Sequence, residues 1–201
     1  MNITDAISLF MLIIFGASYI LKLILLKQNS RIKANVLAKG DKEFSIFFTE
    51  LSVRVSSSLW LLTWVSEIIF HNKISYFCGY IFKNIYITYA GIIITALGVV
   101  VFILATVFMK TSWRVGIDKS TKTALITNGI YKFSRNPAFV GFNLMFMGVF
   151  FTYSNVITLI ILILNMLAFH LLILQEERHL LSVFGKEYER YKRNVPRYFI
   201  V

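Results

Sequence analysis

GIYKFSRNPAFVG, residues Gly129 to Gly141, is the polar interruption on which the reading of this chain turns. Asn136 and Pro137 form a helix-start signature. Asparagine is a favoured N-cap, and proline suits the first helical position because the N–H it lacks would be unpaired there anyway. A helix is therefore expected from Pro137 to about Tyr153, short for a membrane crossing. Ser154 and Asn155 turn the chain, and a second apolar helix follows from about Val156 to Leu174. Beyond it lies the other polar piece, QEERHLLSVFGKEYERYKRNVPR, Gln175 to Arg197. The apolar hairpin between the two pieces can bring them together on one face of a membrane.

Upstream, three more apolar runs read as spans: about Ile7 to Leu26, Phe44 to Phe70 and Ile85 to Met109. Each is long enough to cross a hydrocarbon core of roughly 30 Å. The chain is 57% hydrophobic, with a mean hydropathy of +0.70, well above a soluble domain. The fold class expected is all-α: a polytopic integral membrane protein of five transmembrane helices plus a C-terminal amphipathic helix on the cytoplasmic side. A single membrane domain fills residues 1–201. Residues 1–110 supply the three N-terminal spans, and 111–201 the polar loop, the hairpin and the final helix.

The net charge of +11 is distributed by loop. Basic residues cluster between Lys22 and Lys42, between Lys110 and Arg135, and between Arg178 and Arg197, whereas the second connection holds only Lys73 and Lys83. Alternation of this kind is what the positive-inside rule produces, so nucleic-acid binding is excluded as its cause. It places the N-terminus outside and the C-terminus in the cytoplasm. Attraction to anionic membrane lipids is a by-product. The first span carries its basic residues after it, the reverse of a cleavable signal peptide. The single Cys78 and the scattered His71, His170 and His179 offer no metal-ligand spacing, so no metal is expected.

Within the spans, Glu50 and Arg54 are four apart on one helical face and able to pair near the cytoplasmic end. Gly91, Thr95 and Gly98 form a small-residue face for close helix packing. His170 is expected as a neutral core histidine bonded to a neighbouring helix. In the tail, Leu180, Leu181, Phe184, Tyr188 and Tyr191 recur at helical intervals. Lys186, Glu187, Glu189, Arg190 and Lys192 take the other face, Gly185 is a possible break, and Pro196 is the end.

Three polar groups therefore share the cytoplasmic face. The start of the Pro137 helix offers the backbone N–H groups of Ala138 and Phe139 beside the Arg135 guanidinium, an arrangement suited to a carboxylate or phosphate. Glu176 and Glu177 can accept from a ribose diol or an ammonium. The segment Thr123 to Tyr131 supplies backbone groups and an aromatic ring. Such a pocket suits a zwitterionic adenosine ligand. Equally, the same residues read as an interfacial arginine anchor and a solvated helix end.

The combination of Gly129–Ile130–Tyr131, of R-x-P-x-aromatic-x-G over Arg135 to Gly141, of E-E-x-x-L-x-x-x-F-G-x-x-Y-x-x-Y over Glu176 to Tyr191, and of Val195–Pro196–Arg197 resembles the isoprenylcysteine carboxyl methyltransferase family, with the related phospholipid methyltransferases. The resemblance covers about Trp113 to Arg197. It implies a transferase that uses S-adenosyl-L-methionine and acts on a lipophilic or lipid-modified acceptor reaching it from the bilayer. It also implies that Thr123, Ala124, Leu125, Ile126, Tyr131, Asn136, Pro137, Ala138, Phe139 and Glu176 contact the cofactor, together with Arg135 from the residue-level reading. Three positions depart from the family pattern: Asn136 stands where the family usually has histidine, Phe139 where it has tyrosine, and Leu172 where prenylcysteine enzymes carry an arginine for the substrate carboxylate. A carboxylate acceptor needs no general base, while an amine acceptor needs one. Glu177, His179 and His170 are the candidates for it, and no catalytic residue is assigned. Two other readings remain open at this level: an NADPH-dependent sterol-type reductase with a similar helix-entry motif, and a non-catalytic membrane protein that binds a partner or lipid.

Overall fold

A computed structural model describes residues 2–30, 34–118 and 124–199. Its helices are α1 (Ile3–Ser30), α2 (Phe44–Cys78), α3 (Ile85–Phe108), α4 (Pro137–Tyr153), α5 (Val156–Phe184) and α6 (Lys186–Asn194), with short 3-10 turns at Lys110–Ser112 and Gly129–Lys132. Among the described residues there is no strand, only one isolated parallel bridge between Asn35 and Val115. Four helices, α1, α2, α3 and α5, are long and apolar enough to cross a membrane. The fifth expected span, α4, has the predicted bounds but only 17 residues. At 1.5 Å per residue that is about 25 Å, shorter than the hydrocarbon core. The chain is thus an integral membrane protein with four full-length candidate spans and one short helix packed among them.

α2 is longer than the sequence suggests. It continues to Cys78 through a kink at Phe70, where φ −119° and ψ 18° leave the helical region. Asn72 and Lys73 are therefore helical rather than part of the connection.

α3 and α4 form the tightest pair. The small-residue face makes this possible. A Cβ on Gly98 would lie 2.7 Å from the Gly141 carbonyl oxygen, and one on Gly141 would lie 2.8 Å from the Phe102 amide nitrogen. Contacts that close require a side chain to be absent on both helices. α2 lies against α5 in antiparallel register, fixed by Gln175 Nε2 donating to Thr49 Oγ1 at 2.8 Å and Asn165 Nδ2 to the Ser56 carbonyl at 3.1 Å. Outward faces carry large apolar side chains such as Phe10, Ile93 and Leu167, which suits lipid contact.

The connections gather at two ends. At one, Val36 N–H donates to the Val115 carbonyl at 3.0 Å and Val115 N–H to Ala34 at 2.8 Å, which stitches the first loop to the 110–118 segment. Fully buried Glu50 ties both loops to α2. It accepts from Lys42 Nζ at 2.6 Å, Ala38 N–H at 2.6 Å and Ile117 N–H at 2.7 Å. The expected Glu50–Arg54 pair does not form, because Lys42 and two backbone donors fill the carboxylate. Gly116 (φ +92°) lets the loop turn here, and a Cβ on it would lie 2.8 Å from the Leu37 Cα. At the opposite end, Ser154 accepts from Ile81 and Phe82 N–H, and Asn155 Nδ2 donates to buried Glu67 at 2.6 Å.

The tail follows the sequence pattern in part. α5 runs unbroken past Leu174, Gly185 separates it from α6 with φ +50°, and Tyr188 and Tyr191 are buried. Leu181 is exposed instead of facing inward. His170 pairs with the Tyr198 hydroxyl at 2.8 Å in the C-terminal segment rather than with another helix.

Candidate functional site

A cavity of about 1140 Å³ opens among the helices at the end where Glu50 ties the loops. One face of α5 lines it through Phe169, Leu172, Glu176, Leu180 and Val183. These positions recur every three or four residues, the spacing of one helical face. Glu176 is on that face. Glu177, turned by about 100°, is not.

The two adjacent glutamates consequently have different partners. Glu177 is buried and serves as a junction: its Oε1 accepts from Arg135 at 2.9 Å and Asn136 Nδ2 at 3.1 Å, and its Oε2 from Arg197 at 2.9 Å. Arg135 also donates to the carbonyls of Lys192 at 3.1 Å and Val195 at 2.6 Å, and its own N–H to Pro196 at 2.9 Å. This network fastens the start of α4 to the C-terminal segment. Glu176, in contrast, lines the cavity with no hydrogen bond or ion pair to any described residue.

Asn136 holds the predicted N-cap position, with Pro137 following it, but its side chain does not cap the helix. Its amide is drawn instead to Glu177 and to the Arg197 carbonyl at 3.3 Å. The first backbone N–H groups of α4 are thereby left without a side-chain cap, and Ala138 and Phe139 line the cavity.

Of the other expected contacts, Ala124, Leu125, Ile126, Tyr131, Arg135 and Asn136 also line it. Pro137 is buried outside the lining, and Thr123 lies outside the described residues. The arginine is part of the wall, but its guanidinium is engaged in the Glu177 network. Tyr131 is held by the Tyr191 hydroxyl, which donates to its carbonyl at 2.7 Å. Burial pushes the phenols of Tyr131 and Tyr191 above their ordinary range, and that of Tyr188 up to about 12. All three stay neutral at physiological pH and act as packing groups, with Tyr191 also a donor.

The far end of the cavity is a wall that the polar motifs do not announce: Phe15 of α1, Trp60 of α2, Phe102 of α3, Phe142 of α4 and Phe169 of α5. Edge-to-face pairs join Phe15 with Trp60, Phe102 and Phe142, at centroid distances of 6.1, 5.2 and 5.7 Å. No motif marked these residues, and in an apolar span an aromatic facing a cavity is indistinguishable by composition from one facing lipid. The cavity therefore joins a polar end, able to hold an ionic ligand, to an apolar end able to hold a hydrocarbon chain.

Among the described residues no cluster of histidine, cysteine or carboxylate side chains could hold a metal. Residues 74–187, more than half of the chain, match the family model described as phospholipid methyltransferase. A curated relative, the protein-S-isoprenylcysteine O-methyltransferase of Schizosaccharomyces pombe, is 37% identical over 73 residues, which cover 36% of this chain. The match spans 31% of that relative's length.

Proposed function

Because the chain belongs to the phospholipid methyltransferase family, we propose that it is an S-adenosyl-L-methionine-dependent methyltransferase acting on a lipophilic acceptor at the cytoplasmic membrane face. The observation that carries this reading is the placement of Glu176. It is an unengaged carboxylate in a cavity that begins at the uncapped start of α4 and ends in an aromatic wall. The donor set fits the cofactor's chemistry. Glu176 can accept from a ribose diol or balance a cationic group, and the free N–H groups of Ala138 and Phe139 can donate to a carboxylate. Ala124, Leu125, Ile126 and Tyr131 form an apolar and aromatic side for an adenine ring. When bound, S-adenosyl-L-methionine supplies an electrophilic sulfonium methyl group.

The protein's own contribution is positioning and exclusion of water. Reacting atoms must be held at about 3–3.5 Å in line, and removing solvent strengthens every charge interaction inside. The aromatic wall would hold the acceptor's chain, arriving sideways from the bilayer between spans. Asn136 cannot titrate, and Glu177 is occupied by two arginines. His170 is outside the lining, whereas His179 is within it. For an amine acceptor, His179 is therefore the remaining candidate base. For a carboxylate acceptor no base is required. The S-isoprenylcysteine of the relative's name and the phospholipid of the family's are the two acceptor classes to compare. Family membership favours methyl transfer over the NADPH-dependent reduction that the helix-entry motif alone left open.

Incubating purified protein with methyl-labelled cofactor and either membrane lipids or an S-prenylated cysteine should label the lipophilic product. Absence of both transfer and cofactor binding would reject the reading.

A further inference from the structure

Arg54 is the cavity-lining charge that neither the fold nor the methyl-transfer reading uses. Besides it, the charged side chains of the lining are Lys39, Arg114, Asp118, Arg135 and Glu176. Lys39 donates to the Asn35 carbonyl, Arg114 pairs with Asp118 at 3.2 Å, and Arg135 is bound to Glu177. Glu176 is assigned to the cofactor. The Arg54 guanidinium has no hydrogen bond, ion pair or ring partner among the described residues, since Lys42 has taken the carboxylate one turn away.

Its depth follows from the antiparallel register of α2 and α5. Thr49 is level with Gln175 and Ser56 with Asn165, so Arg54 is level with the stretch around Phe169. That is about seven residues along α5 from Glu176, or roughly 10 Å at 1.5 Å per residue. Arg54 and Glu176 line the same cavity and form no hydrogen bond or ion pair with each other. Ser57 and Ser58 line the wall beside it. An arginine within a membrane helix is costly unless it meets a counter-charge or a polar cavity, and such residues mark ligand paths. Its planar donor fork matches carboxylate and phosphate oxygens in a way few other groups do. Arg54 also precedes the family-matched segment, residues 74–187.

We propose that Arg54 receives an anionic group, carboxylate or phosphate, on the lipophilic acceptor. This holds the head of that molecule against α2 while its chain packs among Phe15, Trp60 and Phe142. Naming the occupant an acceptor rests on the methyl-transfer reading, whereas anion recognition by Arg54 does not.

The test is binding by the full chain in uncharged maltoside micelles, using matched pairs: N-acetyl-S-farnesylcysteine against its methyl ester, and a long-chain alkyl phosphate against the corresponding alcohol. In the wild type at least one anion should bind more tightly than its neutral partner. Preference confined to the carboxylate pair or to the phosphate pair identifies the headgroup, and either supports the proposal. Arg54→Gln should weaken the preferred anion by about 10- to 100-fold, the loss expected for hydrogen bonds to a charged group. It should leave the neutral partner little changed, which also reports an intact fold. Arg54→Lys should keep part of the discrimination. An equal loss for anion and neutral partner, or no loss for the anion, overturns the proposal. S-adenosyl-L-methionine binding is measured in parallel. If the wild type fails to bind it, the methyl-transfer reading falls, and the anion discrimination is still read independently.

Discussion

Two neighbouring glutamates in the same helix turn carry opposite duties. Glu177 neutralises Arg135 and Arg197 and accepts from Asn136, all within a buried junction. Removing its carboxylate leaves buried donors without an acceptor, at a cost of roughly 3–5 kcal/mol. Glu177→Ala is therefore expected to lower the unfolding temperature sharply and to loosen the C-terminal segment, as read by thermal melting and limited proteolysis. Glu176→Ala removes a side chain with no internal partner. Its melting temperature should stay close to wild type, while cofactor affinity falls. Unchanged melting of the Glu177 variant would show that the junction does not hold the tail. Residue types alone treat the pair as one acidic site, and only the family resemblance singles out Glu176, because adjacency conceals the rotation of about 100° between them. The face was nonetheless readable from the run Phe169, Leu172, Glu176, Leu180 and Val183. The structural ties of Arg135 were hidden for a different reason. Its partners lie more than forty residues away, and no local spacing announces a contact with Glu177 or the Val195 carbonyl.

At the scale of elements, the α3–α4 pair positions the site by fixing where α4 begins. Its contact depends on glycines meeting backbone, so Gly98→Val or Gly141→Val should push the helices apart. Overpacking of this kind costs about 1–3 kcal/mol or more. Both variants should melt lower than wild type, and alanine at either position should be milder than valine at the same position. Equal stability of the valine variants would contradict the close packing. These helices were legible in the sequence, including the bounds of α4 and the small-residue face, because proline, asparagine and glycine act locally. The extension of α2 past Phe70 was not, since a kink within a helix has the same composition as a helix followed by a loop. Glu50 was read with the wrong partner for a related reason. Helical spacing offered Arg54, whereas the loop placed Lys42 and two backbone N–H groups within hydrogen-bond distance. Glu50→Gln keeps one acceptor oxygen, sets an NH2 donor against either the Ala38 or the Ile117 N–H and loses the charge opposite Lys42, so faster proteolysis within residues 34–42 is expected, and unchanged cleavage would argue that Glu50 is not the tie.

The molecule as a whole has a basic end, where three polar segments and the cavity meet, and an opposite end that holds Cys78 and the Ser154–Asn155 turn. Charge distribution in the sequence assigned the basic end to the cytoplasm, by a rule that concerns insertion rather than packing. Cys78 is the sole cysteine of the chain. A membrane-impermeant maleimide should therefore label it in intact cells, while Lys192→Cys in a Cys78→Ser background should react only after permeabilisation. The reverse pattern would invert the topology and place the cavity on the other face. What the sequence left open at this scale was the cavity's apolar half, since five helices contribute one aromatic or so each and only their assembly makes a wall. The central claim, that this cavity holds a methyl donor anchored by Glu176, is tested most directly by equilibrium binding of S-adenosyl-L-methionine and of NADPH to purified wild type and Glu176→Ala. Saturable binding of S-adenosyl-L-methionine alone, weakened by about tenfold or more in a variant that melts like wild type, is the predicted result. Binding of NADPH instead, or S-adenosyl-L-methionine affinity indifferent to Glu176, would contradict it.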